Sequence, residues 1–127
     1  MKIQEIDHFV IVTENLEACL HFYQDILHMH HGMNGQQHYL AFGRQKINIH
    51  TFPGEFEPSA KYAGYGTNDF CLITTDDLEK VKNVFQESGV AIAQDICEKV
   101  GARGPMHSLY VYDPDGNLIE IAKYDEE

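Results

Sequence analysis

Two stretches of this chain carry the same order of elements. From Ile3 to Val12 the run IQEIDHFVIV is rich in β-branched and aromatic residues. After Glu14-Asn15 come apolar residues at Leu16, Cys19, Leu20, Tyr23 and Leu27, and spacings of three and four mark one face of a helix. His28 to Met33, His38 to Phe42 and Lys46 to Phe52 then read as three strands, parted by Gly35 and by a tight turn at Gly43-Arg44-Gln45. The order is βαβββ. After a Pro- and Gly-containing connection it recurs: NDFCLITT is a strand, and Asp76-Asp77 opens an amphipathic helix with Leu78, Val81, Val84 and Phe85, closed by Gly89. Strands follow at Ala91 to Glu98, His107 to Tyr112 and Asn117 to Tyr124, the last two joined by the turn DPDG at 113–116. Asn15-Leu16-Glu17 and Asp77-Leu78-Glu79 occupy matching places, 62 positions apart. The expected architecture is α+β, with two βαβββ modules at approximately residues 1–54 and 67–127 within a single domain spanning 1–127.

Composition narrows the partners. With 43% hydrophobic residues and 23% charged ones in 127 residues, the chain is long enough for one packed core and is not a disordered or fibrous sequence. Nine basic against twenty acidic residues leave a formal charge of −11, which repels phosphate backbones and argues against nucleic acid. Apolar runs such as Phe9 to Val12 fall far short of the ~20 residues of a membrane span. The opening MKIQEIDHF has no basic segment followed by an apolar one, so a cytoplasmic location is expected. Cys19, Cys71 and Cys97 are odd in number and lack CxxC spacing, which suggests neither a disulfide framework nor a zinc knuckle.

A helix covering one face of a sheet leaves the other free, and period-2 alternation tells which side chains point there. In the first strand Phe9 and Ile11 suit the helix side, so His8 faces away. In the fourth, Ile47 and Ile49 suit the helix side, leaving Lys46, Asn48, His50 and Phe52 opposite. In the last, Ile119 and Ile121 alternate with Glu120. An ionised Glu120 between two isoleucines is costly to bury unless it is paired or meets a cation. Two imidazoles and a carboxylate, His8, His50 and Glu120, make a common shell for one catalytic divalent metal with open positions for water or substrate. Lys46 and Asn48 on the same face, and Arg103 in the GARGP loop, are candidates for holding substrate. Tyr39, His107 and Tyr110 are further possible lining residues, and His28, His30 and His31 read as a solvated strand start able to catch metal adventitiously.

The segments IDHFVIVTENLEACLHFYQDIL and LYVYDPDGNLIEIAKY resemble the opening strand and helix, and the closing hairpin, of the vicinal oxygen chelate superfamily, which includes glyoxalase I, extradiol dioxygenases, fosfomycin-modifying and bleomycin-binding proteins. FGRQKINIHTF, NDFCLITTDDLEKV and GARGPMHSLYVYDPDGNLIE resemble its small single-domain, glyoxalase-like subgroup with virulence-associated members. The resemblance implies curved mixed sheets with a helix on each outer face, and metal ligands from the first and last strands of each module: His8, His50, Glu120 and a residue at the start of the fifth strand. There the helix offset of 62 would select Phe70. The apolar character of Phe70 and Leu72 favours Asp69 instead, with one residue inserted near Thr75. Asp69 is then either a fourth ligand or an acceptor that fixes an imidazole tautomer. The implied activity is that of a lyase or isomerase using one divalent ion (Ni, Zn, Mn, Fe or Co) on a small substrate with neighbouring oxygens, Glu120 or Asp69 shuttling a proton. An Fe(II) extradiol-type dioxygenase and a sequestering protein without catalysis are the alternatives, and a homodimer is the implied assembly.

Overall fold

The computed structural model describes residues 1–126. They divide into two compact units, Met1–Thr67 and Asn68–Glu127, and each holds one four-stranded mixed sheet.

The first unit contains β1 (His8–Val12), α1 (Leu16–Leu20), β2 (His30–Asn34), β3 (Gln37–Phe42) and β4 (Gln45–His50). Its sheet runs β1-β4-β3-β2, with β1 parallel to β4 and the hairpin strands antiparallel. Thus the crossover through the helix brings β1 beside the last strand of the module. Asn15 caps α1, its Oδ1 accepting from the Ala18 amide at 3.0 Å, which satisfies one of the helix's orphan donors. The expected helix to Leu27 is partly wound differently: after Leu20 the chain continues as a π-helical turn from His21 to Ile26, with the Leu27 amide donating to the Phe22 carbonyl at 3.1 Å. Adjacent Phe22 and Tyr23 are both buried there, their rings packed edge to face at 4.8 Å. His28, at φ 61, then turns the chain out of the helix. Ile11, Leu40, Ile47 and Ile49, all fully buried, form the sheet's side of this core.

The second unit contains β5 (Asp69–Ile73), α2 (Leu78–Glu87), β6 (Ile92–Gly101), β7 (Gly104–Tyr112) and β8 (Leu118–Tyr124). Its order, β5-β8-β7-β6, repeats that of the first. Asp77 caps α2, accepting from the Glu79 amide at 3.1 Å, and Phe85 is buried with Leu109, Val111 and Ile119 as the apolar side of the sheet. The β6–β7 hairpin is longer than its counterpart and its pairing slips twice, between Ile92 and Gln94 and between Gln94 and Cys97. No described helix is long and apolar enough to cross a membrane.

Candidate functional site

Strand alternation turns His8, Lys46, Asn48 and His50 to the face of the first sheet that carries none of its isoleucine core. His8 opens β1 opposite Lys46. Its Nδ1 lies 2.7 Å from Asp7 Oδ1, a contact that orients the ring and leaves Nε2 as the nitrogen not engaged by Asp7. Asn48 is two positions along β4, opposite Val10 on one side and Tyr39 on the other. It is buried to 8% exposure, and its Oδ1 has no hydrogen-bond partner among the described residues. A buried polar oxygen left bare costs about 1–3 kcal/mol. Beside it the Lys46 ammonium lies 5.2 Å from the centre of the Tyr39 ring. That ring lies across Gly32, where any Cβ would collide with it.

His50 is set differently. It pairs with Val12, four positions beyond the His8–Lys46 pair, roughly 13 Å along the strand direction. The ring is buried against the edge of Phe56 at 5.3 Å, in the loop that Glu55 ties back by accepting from the Thr51 amide and hydroxyl at 2.7 and 2.9 Å.

In the second unit, Asp69 opens β5 opposite Leu118, and Cys71 is opposite Glu120. The DPDG turn sets this register. Asp113 Oδ1 accepts from the amides of Asp115 and Asn117 at 3.0 and 2.8 Å. Asn117 Oδ1 in turn accepts from the Asn68 amide at 2.9 Å, pinning the start of β5 to the start of β8. Glu120 is flanked by donors. The Ser108 hydroxyl, fully buried, donates to its Oε2 at 2.6 Å, and the Cys71 thiol and Tyr110 hydroxyl are near enough for the Glu120 charge to act on them. Desolvation, then the Glu120 charge, push the Cys71 thiol up to about 12. The same causes push Tyr110 up to about 12, so both remain proton donors at neutral pH.

The two sheets can be laid on each other by register. His8–Lys46 corresponds to Asp69–Leu118, the opening pair in each. Two positions along, Asn48 corresponds to Glu120 and Tyr39, opposite Asn48, to Tyr110, opposite Glu120. The position matching His50 is Ala122, which has no donor. Each module thus presents one pair on one face: His8 with Asn48, and Asp69 with Glu120, diagonal neighbours across adjacent strands. Register therefore points to Asn48 as the counterpart of Glu120 rather than to His50. Among the described residues no three His, Cys, Asp or Glu side chains group as a metal site.

Arg103 stacks on Tyr124, its guanidinium 4.3 Å from the ring centre, and its amide donates to the Tyr124 hydroxyl at 3.1 Å. Tyr124 is four residues past Glu120 on β8, roughly 13 Å along the strand. His107 alternates to the other face from Ser108 and Tyr110. There it bonds Asp125 at 2.6 Å and lines a hollow with Asp77 and Leu78 at the start of α2. Ser108 carries no sequence signal beyond being a lone serine in the run MHSLYVY.

The sequence profile described as the Glyoxalase/Bleomycin resistance protein/Dioxygenase superfamily matches residues 5–121. The chain is 38% identical over 125 residues to the Virulence protein STM3117 of Salmonella typhimurium, covering 98% of this chain and 87% of that protein. It is 35% identical to the Glyoxalase domain-containing protein RDO1 of Mycosarcoma maydis, covering 99% and 72%. An integron cassette protein from the mobile metagenome of V. cholerae superposes with TM-score 0.94 at 37% identity over 98% of both chains. The lactoylglutathione lyase of Agrobacterium tumefaciens, at 21% identity, shares the fold with TM-score 0.74 over 97% of this chain and 96% of that one. The chain belongs to the glyoxalase/bleomycin resistance/dioxygenase superfamily, and its two βαβββ modules are the vicinal oxygen chelate fold.

Proposed function

We propose, from that membership, that the chain is a divalent-metal-dependent enzyme of the lyase or isomerase type, acting on a small substrate that chelates the ion through neighbouring oxygens. Members of the superfamily generally bind a divalent metal and small-molecule substrates. The residues present suit such a group. His8 offers an imidazole nitrogen oriented by Asp7, Asp69 and Glu120 offer carboxylates, and Asn48 offers a buried oxygen that nothing else satisfies. One imidazole with three oxygens favours a hard to borderline ion such as Mn, Fe, Co or Ni over a thiophilic one.

The observation that carries the reading is the repeated pair, an opening-strand residue with a partner two positions along the last strand, on one face of both modules. A homodimer and the single-domain organisation belong to the same proposal. When bound, the ion supplies Lewis-acid polarisation of two substrate oxygens.

The chain's own groups do the rest. Glu120 would take a proton from a carbon beside a substrate oxygen and return it to the neighbouring atom. Ser108 holds that carboxylate in one orientation while it does so. Lys46, fixed over Tyr39, attracts an anionic part of the substrate. His50, further along β4, and Arg103, in the turn between β6 and β7, bound the substrate rather than the ion.

The test is metal content of protein purified without a histidine tag, for the unaltered chain and for Glu120→Gln with His8→Ala. The expected result is stoichiometric metal lost in the double variant. Full metal retention there, or a metal-free protein that still binds its small molecules, overturns the proposal.

A further inference from the structure

On the opposite face of the first sheet, the helix side, His31 on β2 and His38 on β3 form a pair that the chemistry above does not use. His31 is opposite Leu40 and His38 is opposite Met33, so alternation puts both on the side of the buried Leu40. Their Nε2 and Nδ1 atoms lie 2.8 Å apart, with ring planes inclined by only 14° and centroids 5.0 Å apart. One ring must donate and the other accept, so at least one is neutral. Burial and the neighbouring His38 and His30 lower the affinity of His31 for a second proton. Both residues are half-buried, which leaves one side of the pair open to solvent.

We propose that His31 and His38 form a second cation site, a two-imidazole chelate for Cu(II) or Ni(II). An ion about 2.1 Å from both nitrogens would see them at roughly 85°, given their 2.8 Å separation. That is close to the right angle between neighbouring positions of a tetragonal or octahedral ion, and well short of a tetrahedral angle. To admit the ion each ring swings so that its lone pair leaves the line joining the two nitrogens and points at the ion, which displaces the shared hydrogen. Its remaining positions stay open to water or a further ligand. One turn and one pairing hold the nitrogens together: the two-residue hairpin after Asn34, closed by Gly35 at φ 62, and the cross-strand register. His30 is on the other face by alternation, opposite Ala41, and takes no part.

The site is independent of the proposed catalytic centre, and the experiment separates them. Ni(II) is titrated into the full chain in the His8→Ala, Glu120→Gln background, with NMR line broadening and calorimetry as readouts. Broadening should begin at residues 30–41, and His31→Gln or His38→Gln should weaken that binding by at least the roughly tenfold that loss of even an outer metal partner costs, while His30→Gln leaves it unchanged. Equal weakening by all three variants would show an unstructured histidine-rich surface and overturn the proposal. So would Ni(II) binding indifferent to His31 and His38, or no binding at all. Retention of the effect when the Glu120 centre proves metal-free would leave this site standing and the catalytic reading fallen.

Discussion

The two modules share strand order, register and the placing of a tyrosine opposite the key position, yet treat that position in opposite ways. In the second, Glu120 is an anion that accepts from Ser108, with Tyr110 and Cys71 beside it. In the first, Asn48 is a neutral amide whose buried Oδ1 is bare. Each tyrosine carries a lysine, Lys46 at 5.2 Å from the Tyr39 ring and Lys99 at 5.6 Å from that of Tyr110, so the surroundings are alike and the central residue differs. The pair teaches that duplication preserved the geometry of a donor position while charge was concentrated on one copy. The satisfied carboxylate is stable with or without a cation, whereas the unsatisfied amide is held at a cost that binding can repay.

The sharpest break comes from Glu120→Gln. Metal affinity should fall on the order of 100-fold or more, beyond the loss of an outer partner, with turnover falling alongside, as read by calorimetry and by product formation. A variant that kept both would reduce the likeness of the modules to architecture. Next is Ser108→Ala. Removing a buried donor to a charged acceptor should cost about 1.5–3 kcal/mol in urea unfolding, with no counterpart effect in the first module.

Asn48→Asp makes the modules alike in charge. Without a donor to receive it, the new carboxylate should destabilise the metal-free chain by about 1–3 kcal/mol, and excess Mn(II) should restore the loss. Destabilisation that Mn(II) leaves untouched would show that position 48 does not face a cation.

The smallest effect is at alkaline pH. Cys71 and Tyr110 rise from 9.0 and 10.0 to about 12 on folding, so the folded chain holds these protons more tightly than the unfolded one. Their contribution is present below about pH 9 and is lost as pH climbs toward 12. The urea midpoint should fall across that window, less steeply in Cys71→Ala. An unchanged slope would mean that folding does not raise the Cys71 thiol.

Much of this was legible beforehand. Helix caps at Asn15 and Asp77 and the DPDG turn rest on local chemistry, a side-chain oxygen meeting an amide two or three residues on, and the structure shows them where the sequence implies. The sides of the strands also follow from alternation. The preference for Asp69 over Phe70 turned on one inserted residue, and the strand openings His8 and Asp69 are indeed one position closer in offset than the caps. The π-helical turn at His21–Ile26 was not legible, because apolar spacing alone does not distinguish a widened turn from a regular helix. In the sequence His50 reads as a metal ligand because an imidazole advertises metal chemistry, and Asn48 as a substrate contact because an amide does not.

By itself, then, the sequence determined the order of strands and helices and which side chains share a face, since these follow from interactions a few residues long. Only the tertiary structure decided which residue of β4 corresponds to Glu120. That depends on the parallel pairing of strands separated by a helix and a hairpin, and the second hairpin is longer: Lys46 and Leu118, the matching partners, are offset by more than the strands that open the modules. It likewise decided that Ser108 meets Glu120 and that His31 meets His38, because cross-strand register is a property of the folded sheet and leaves no mark on neighbours in the chain.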